Sequence, residues 1–309
     1  CNMDCEYCFA GKGEYNDKAG LMSLEVGKRA LDFLVENSGT RKHLEVDFFG
    51  GEPLLNWDVC KELVAYGREL EKTHNKIFNF TLTTNGVLID DDVIEFSNRE
   101  MGNVVLSMDG RRETHDRMRK NKTGNGTYDA IMDNFKRLVA DRGTKEYYMR
   151  GTYTAYNKDF ASDIIHMADL GFKETSMEPV VCFKGEPYGL KKEDIPFLEE
   201  QYEKLALEML DRRKKGDGFN FYHYNVDLTG GPCIYKRVAG CGVGTEYLAV
   251  TPTGDLYPCH QFVGDDNMLV GNIYDGITHD EVLDVFRAGN NMYTRDNCKD
   301  CWAKLYCAG

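Results

Sequence analysis

The chain has 309 residues, of which 42% are hydrophobic, and a formal net charge of −13, enough to bury one large or two medium cores. An excess of 51 Asp and Glu over 38 Lys and Arg argues against a general nucleic-acid surface, no apolar run reaches the length of a membrane span, and no signal peptide opens the chain. The 11 cysteines, with C-x2-C pairs at both ends, read as metal ligands in a reducing cytoplasm rather than as disulfides.

In chain order, the first signal is Cys1, Cys5 and Cys8 in CNMDCEYC. Three thiols this close suit an iron–sulfur cluster or zinc. A cubane cluster takes four ligands, so three cysteines on one loop leave one iron open to a small molecule. Half of a zinc site, or buried thiols, is the alternative. The chain starts at this cysteine without an initiator Met and stops soon after Cys307, which predicts a longer parent protein.

Residues 23–37 read as a helix with Ser23 as N-cap and Val26, Ala30, Phe33 and Leu34 on one face. A strand follows over 44–49, stopped by Gly50-Gly51, then a helix over 57–71. A strand over 77–83 ends at the turn signal Asn85-Gly86. Next come a short helix over 91–98 and a strand over 103–107. Residues 127–142 are helical, closed by Gly143. They lead to a strand over 147–153, a helix over 159–170, a strand over 174–178 and a long helix over 193–215 with a basic end.

Repeated strand–helix units predict a parallel sheet covered by helices, with functional loops at the C-terminal strand ends. Cys1–Cys8 would be such a loop, its own strand lying upstream of residue 1. With five visible strands this makes six, an incomplete barrel. Beyond Gly216 helical periodicity fades while Gly, Tyr and Cys rise, which predicts two domains, 1–215 and 216–309. In the second, TEYLAVTPTGDLYPC predicts a hairpin turning at Pro252-Thr253-Gly254 and delivering Cys259.

Cys1, Cys5, Tyr7 and Cys8, followed after the next strand by Gly50-Gly51-Glu52-Pro53, resemble the radical S-adenosylmethionine (SAM) superfamily. The resemblance implies a partial (β/α)6 barrel and a cubane cluster on Cys1, Cys5 and Cys8, its open iron chelated by the amino and carboxylate groups of SAM. Gly50 and Gly51 would let the backbone approach the ligand. Glu52 would accept from the ammonium, and Tyr7 would cover the cluster near adenine or simply pack. Ser107 at a strand end and Arg119 would hold the carboxylate, which an arginine fork suits. Asp109 would take the ribose hydroxyls or cap its turn. His115 and Asp116 read as a salt link or cap in the same loop. Thr83 and Asn85 could line the same pocket, Arg150 is an inward or lateral charge, and Cys60 and Cys182 read as packed thiols.

At the other end, Cys241, Gly254 and Cys259, then Cys298-x2-Cys301-x5-Cys307, are similar to the SPASM-domain pattern of radical SAM enzymes that modify peptides. That pattern implies two auxiliary clusters. Cys241 and Cys259 would serve the first, with Cys233 as a further ligand or free. Cys298, Cys301 and Cys307 would serve the second, making three 4Fe–4S clusters in all. Zinc ribbons are the alternative.

His260 stands where sulfatase-maturing members carry an aspartate base, which counts against formylglycine formation. SMDGRRETHDRMR, GGPCIYKRVAGCGVGTEYLAVTP and GDLYPCHQFVG resemble instead the maturases of SCIFF peptides (six cysteines in forty-five residues). This implies an oxidoreductase that installs Cys–Thr thioether crosslinks, through a 5′-deoxyadenosyl radical, in a ribosomally made cysteine-rich precursor peptide with a leader. An electron donor such as a flavodoxin or ferredoxin would serve it, with no nucleic-acid or membrane partner. Another SPASM peptide modification, or a non-catalytic iron–sulfur or zinc electron-transfer protein, is the alternative.

Overall fold

After helix α1 (Leu24–Asn37), six strands form one parallel sheet in their order along the chain: β1 (His43–Phe48), β2 (Ile77–Thr84), β3 (Asn103–Ser107), β4 (Glu146–Tyr153), β5 (Glu174–Pro179) and β6 (Asn220–Phe221). Helices α2 (Trp57–His74), α3 (Asp91–Glu100), α4 (Arg112–Met118), α5 (Tyr128–Arg142), α6 (Phe160–Asp169) and α7 (Ile195–Lys214) fill the crossovers. The order never reverses, so the sheet winds in the sense of a barrel and not of a doubly wound layer. Among the described residues β1 and β6 do not pair, and the barrel is partial. This computed structural model describes residues 1–16, 18–226, 241–289, 291–304 and 306.

The two faces of the sheet differ. Along β2 burial alternates, with Phe78, Phe80, Leu82 and Thr84 covered and Asn79, Thr81 and Thr83 only partly so. Phe80, Leu82, Val104, Leu106, Met149 and Met177 are fully buried on the covered face. Phe135 of α5, Phe160 and Ile164 of α6 and Leu205 of α7 are fully buried in the helix layer. Each such side chain contributes roughly 1.5–3 kcal/mol, so this layer holds the sheet together. Parallel sheets are commonly apolar on both faces. Here the second face carries Asp47, Thr83, Ser107, Arg150 and Glu178, none of them fully buried.

Most expected elements stand within a few residues of their predicted bounds. Ser23 caps α1, its Oγ accepting from Val26 N at 3.2 Å. Two elements of the sheet unit escaped the periodicity. His115 and Asp116 lie on helix α4 and not in a loop, and β6 lies beyond residue 216. The six strands observed therefore include β6, which lies beyond the expected end of the first domain.

The chain divides into two compact units, residues 1–12, 43–64 and 77–225 in the first and 13–42, 65–76 and 226–309 in the second. The second holds a four-stranded antiparallel sheet of β7 (Ala249–Val250), β8 (Asp255–Tyr257), β9 (Gly271–Asn272) and β10 (Gly276–Ile277), with helices α8 (Asp280–Gly289) and α9 (Asp296–Lys299). The expected hairpin is β7–β8, turning at Gly254 with φ +87°. Helix α8 arises where periodicity had faded. Its Leu283 joins Leu256, Val270, Ile273 and Phe33 of α1 in one apolar core, with Val26 and Ala30 packed against it. The α1 face read from the sequence thus buries among C-terminal residues. Among the described residues no helix is long and apolar enough to cross a membrane.

Candidate functional site

The cysteine loop is seated by residues far along the chain. Asp4 N donates to Lys120 O at 2.7 Å and Glu6 N to Met118 O at 2.8 Å, while Met3 is buried and bridges to Asn121. Cys8 N donates to Cys5 O at 3.3 Å, closing a turn between the two thiols. Cys1 is exposed, Cys5 and Cys8 half-buried. Burial, reinforced by the charges of Asp109, Cys8 and Asp4 against Arg119, pushes the Cys5 thiol up to about 11. Such a thiol is no free nucleophile; a bound metal would deprotonate it.

The glycine motif meets this loop. A Cβ on Gly51 would stand 3.0 Å from Cys1 N and 3.1 Å from its Cβ, tight contacts that glycine avoids, and Gly50 has φ +73°. Glu52 is buried. Its Oε1 accepts from Leu54 N at 3.1 Å and Thr84 Oγ1 at 2.8 Å, and its Oε2 from Asn85 N at 2.8 Å. Burial raises its pKa and these three donors oppose the rise. Oε2 keeps capacity for a second donor. Asn85 turns its Nδ2 to Asn2 Oδ1 at 2.7 Å, with Cys1 Sγ at 4.0 Å.

At the end of β3 lies a buried charge network. Asp109 Oδ2 accepts from Tyr7 Oη at 2.6 Å and Oδ1 from Thr152 N at 2.9 Å. Arg119 Nε stands 3.1 Å from the same Oδ1 as an ion pair, off the line of a hydrogen bond, and the guanidinium lies 5.5 Å over the Tyr7 ring. Burial works against the Arg119 charge, and Asp109, Tyr7 and Cys5 more than overcome it. Burial also raises Tyr7 far above a normal phenol. With Tyr7 on one oxygen and Thr152 N on the other, Asp109 holds its neighbours in place. The two outer nitrogens of Arg119 have no hydrogen-bond partner among the described residues. Ser107 sits one register step away, opposite Arg150 on the open face.

His115 and Asp116 support this corner. His115 Nε2 lies 3.0 Å from Thr127 Oγ1 and its Nδ1 3.4 Å from Asp109 N; burial pushes it down to about 4, so it is neutral. Asp116 accepts from Tyr128 N at 2.9 Å and caps α5, the structural role read from the sequence. Thr83 donates to Asp47, and Cys60 is a core thiol 3.8 Å from Pro53 O. Cys182 is half-buried in the loop after β5. Sequence reasoning passed over Asp47, Glu178 and His223. For the two acids the signal was a polar residue at alternate positions of LEVD and ETSME; His223 lies in neither segment.

Gly110 ends the β3 loop with φ +100°, and a Cβ there would stand 2.2 Å from the Asp163 side chain. Asp163 in turn binds Arg111 N, Arg111 Nε, Thr114 Oγ1 and Asn157 Nδ2. We expect Gly110→Ala to cost roughly 3 kcal/mol through strain and overpacking. A lowered midpoint in chemical denaturation with an unchanged slope is the check.

In the second unit, Cys298 lies on α9 and Cys301 follows one turn on, its N donating to Cys298 O at 3.2 Å. Cys259 follows β8; burial raises its pKa and the neighbouring Cys241 adds to the rise. His260 Nδ1 lies 2.7 Å from Tyr247 Oη and 3.7 Å from Cys259 Sγ. Cys233 and Cys307 lie outside the described residues. Among the described residues no three His, Cys, Asp or Glu converge on one point as ligands of a single ion would. A cubane asks for something else, one thiolate on each of several irons. Three thiols on one loop, beside a closely approaching glycine backbone and a guanidinium whose two outer nitrogens have no partner among the described residues, suit such a cluster with an amino-acid ligand.

A parallel sheet wound in sequence order, with cysteines and a close-packed glycine motif at its C-terminal edge, defines a cluster-binding α/β enzyme. The Radical SAM superfamily profile matches residues 1–170, more than half of the sequence, and the chain belongs to that superfamily. Residues 241–302 match SPASM, an iron–sulfur cluster-binding domain. Members of the superfamily work with SAM and a 4Fe–4S cluster, and a SPASM domain binds further iron–sulfur clusters. The chain is 27% identical to a cysteine-type anaerobic sulfatase-maturating enzyme of Clostridium perfringens (strain 13 / Type A), over 100% of this chain and 85% of that protein. It is 26% identical to a serine-type enzyme of the same name in Bacteroides thetaiotaomicron, over 100% and 79%. In fold it resembles native anSMEcpe with bound AdoMet and Kp18Cys peptide, with a TM-score of 0.78 at 23% identity over 99% of this chain and 84% of that one. Streptococcus suis SuiB bound to S-adenosylmethionine gives 0.63 at 18% identity, over 100% and 70%.

Proposed function

We propose that this radical SAM enzyme modifies peptides, installing Cys–Thr thioether crosslinks in a ribosomally made cysteine-rich precursor of the SCIFF kind. His260 carries the choice of chemistry. It follows Cys259, where a sulfatase maturase would place an aspartate, and its Nδ1 is engaged by Tyr247 Oη at 2.7 Å. An imidazole with one nitrogen already engaged therefore stands in place of the carboxylate that the sulfatase reaction would use.

Cys1, Cys5 and Cys8 hold the cluster that binds SAM. Cys241 and Cys259, with Cys233, hold a first auxiliary cluster, and Cys298, Cys301 and Cys307 a second. When bound, the first cluster and SAM supply a 5′-deoxyadenosyl radical that takes hydrogen from carbon. The protein's part is to bind, orient and keep water out. The outer nitrogens of Arg119 take the SAM carboxylate, Gly50 and Gly51 admit the ligand backbone to backbone, Glu52 Oε2 accepts from its ammonium, and Ser107 lies at the strand end beside it. Asp109 is a positioning residue that aims Arg119 and Tyr7. A flavodoxin or ferredoxin supplies electrons.

The test is anaerobic incubation with SAM, reductant and a reduced cysteine-rich peptide. The expected product has lost two hydrogens per crosslink, resists thiol alkylation and comes with one 5′-deoxyadenosine. Formylglycine formation is the second reading, favoured by the sulfatase-maturating relatives. An aldehyde that reacts with hydrazide, in place of a crosslink, would establish it and sink the thioether.

A further inference from the structure

We propose that Arg150 anchors the main chain of the peptide substrate on the open face of the barrel, with Asp47 and Glu178 as acceptors for the substrate's N–H groups. This rests on the peptide reading above. Arg150 lies in β4, exposed on the polar face, in register with Ser107 of β3 and Ser176 of β5. Its main-chain carbonyl accepts from Met108 N at 3.0 Å, but its guanidinium has no hydrogen bond or ion pair among the described residues. Other arginines of the same unit are tied down. Arg111 pairs with Asp163 at 2.7 Å and Asp159 at 2.9 Å, and Arg142 donates to the carbonyls of Glu146, Ser97, Met101 and Gly102. Arg150 is the one arginine carried by the six strands, and among the described residues its guanidinium has no such tie.

The carboxylates that feel its charge are held by other groups. Asp47 accepts from Thr83 Oγ1 at 3.1 and 3.3 Å. Glu178 accepts from Ser176 Oγ at 3.0 Å and lies 3.0 Å from His223 Nε2, whose Nδ1 lies 3.0 Å from Tyr202 Oη. Burial pushes Asp47 up to about 6 against Thr83 and Arg150. Glu178 is burdened by burial too, yet His223, Arg150 and Ser176 bring it below the ordinary range. Both acids stay in place without closing onto the arginine.

One donor fork and two fixed acceptors on the same face of one sheet select a ligand by charge. A free carboxylate or phosphate would face two acids for one cation, and an amine would face the arginine. An extended peptide presents carbonyl and N–H in alternation and is neutral, so it satisfies all three groups at once. Recognition of this kind reads backbone and tolerates many side chains.

The reconstituted protein and its R150Q and R150K variants would be titrated anaerobically with a synthetic fluorescein-labelled peptide rich in cysteine and threonine, thiols reduced, and separately with radiolabelled SAM. R150Q is expected to bind the peptide roughly tenfold to a hundredfold more weakly, with SAM affinity and thermal midpoint unchanged, and R150K to recover part of the loss. Somewhere in a scan replacing single amides by esters, affinity should fall for the wild type and stay flat for R150Q. Equal peptide binding by R150Q and wild type overturns the anchor and leaves the peptide reading standing. Wild type that binds SAM but no peptide removes both.

Discussion

Cys5→Ala is expected to reduce 5′-deoxyadenosine formation to that of a protein-free control. Cys5 is one of three thiols on a loop whose backbone is already seated on Met118 and Lys120, so the loop has no slack with which to recruit a replacement. A cluster left with two ligands would be lost or degraded, and anaerobic iron and sulfide analysis should fall by one cluster while the remaining clusters persist. The contrast is Cys60→Ala. That thiol is buried 3.8 Å from Pro53 O, and burial pushes it up to about 12. Its loss should cost about 1 kcal/mol of packing and leave SAM cleavage intact. Cleavage that survives Cys5→Ala would remove the site proposed here.

Asp109→Ala should give the largest loss of stability. The carboxylate is fully buried and joins Tyr7, Thr152 and Arg119. Taking it away strands a guanidinium and a main-chain N–H without a partner, at about 3–5 kcal/mol. Each kcal/mol moves the midpoint of a domain this size by roughly 2–4 °C, so a fall on the order of 10 °C is expected in a thermal melt under anaerobic conditions. The double variant with Arg119→Met should lose less than the two single losses added, because it removes both charges together. SAM binding should weaken in Asp109→Ala as well, since Arg119 would no longer be aimed. An unchanged melt would mean that the network carries no strong interaction.

Much of this was readable in the linear chain because its signals are local. Strand edges follow from alternation in IFNFTLT, the Ser23 cap from its place before an apolar face, and the hairpin from Pro252-Thr253-Gly254. The superfamily follows from cysteine spacing together with Gly50-Gly51-Glu52. The signals that failed are those that depend on distant partners. RETHDRM is too short and polar to announce helix α4, which is fixed by His115 against Thr127 and by Asp163 around its first turn. Two-residue β6 has no period to detect. The partners of a loop acid are equally hidden in the linear chain: Thr84 and Asn85 on Glu52, Tyr7 and Thr152 on Asp109 come from distant segments that only the fold brings near.

Phe33 and Leu283 share one core although most of the polypeptide separates them. On the ribosome, helix α1 leaves the exit tunnel long before its packing partners exist, and its greasy stripe must wait, shielded or chaperoned, until the segment that carries Leu256 to Leu283 has been made. A gene fragment begun at the apparent boundary near Gly216 would omit that helix and expose the surface it covers. Any attempt to study the cysteine-rich half in isolation would need the α1 segment supplied as well, spliced in or added in trans.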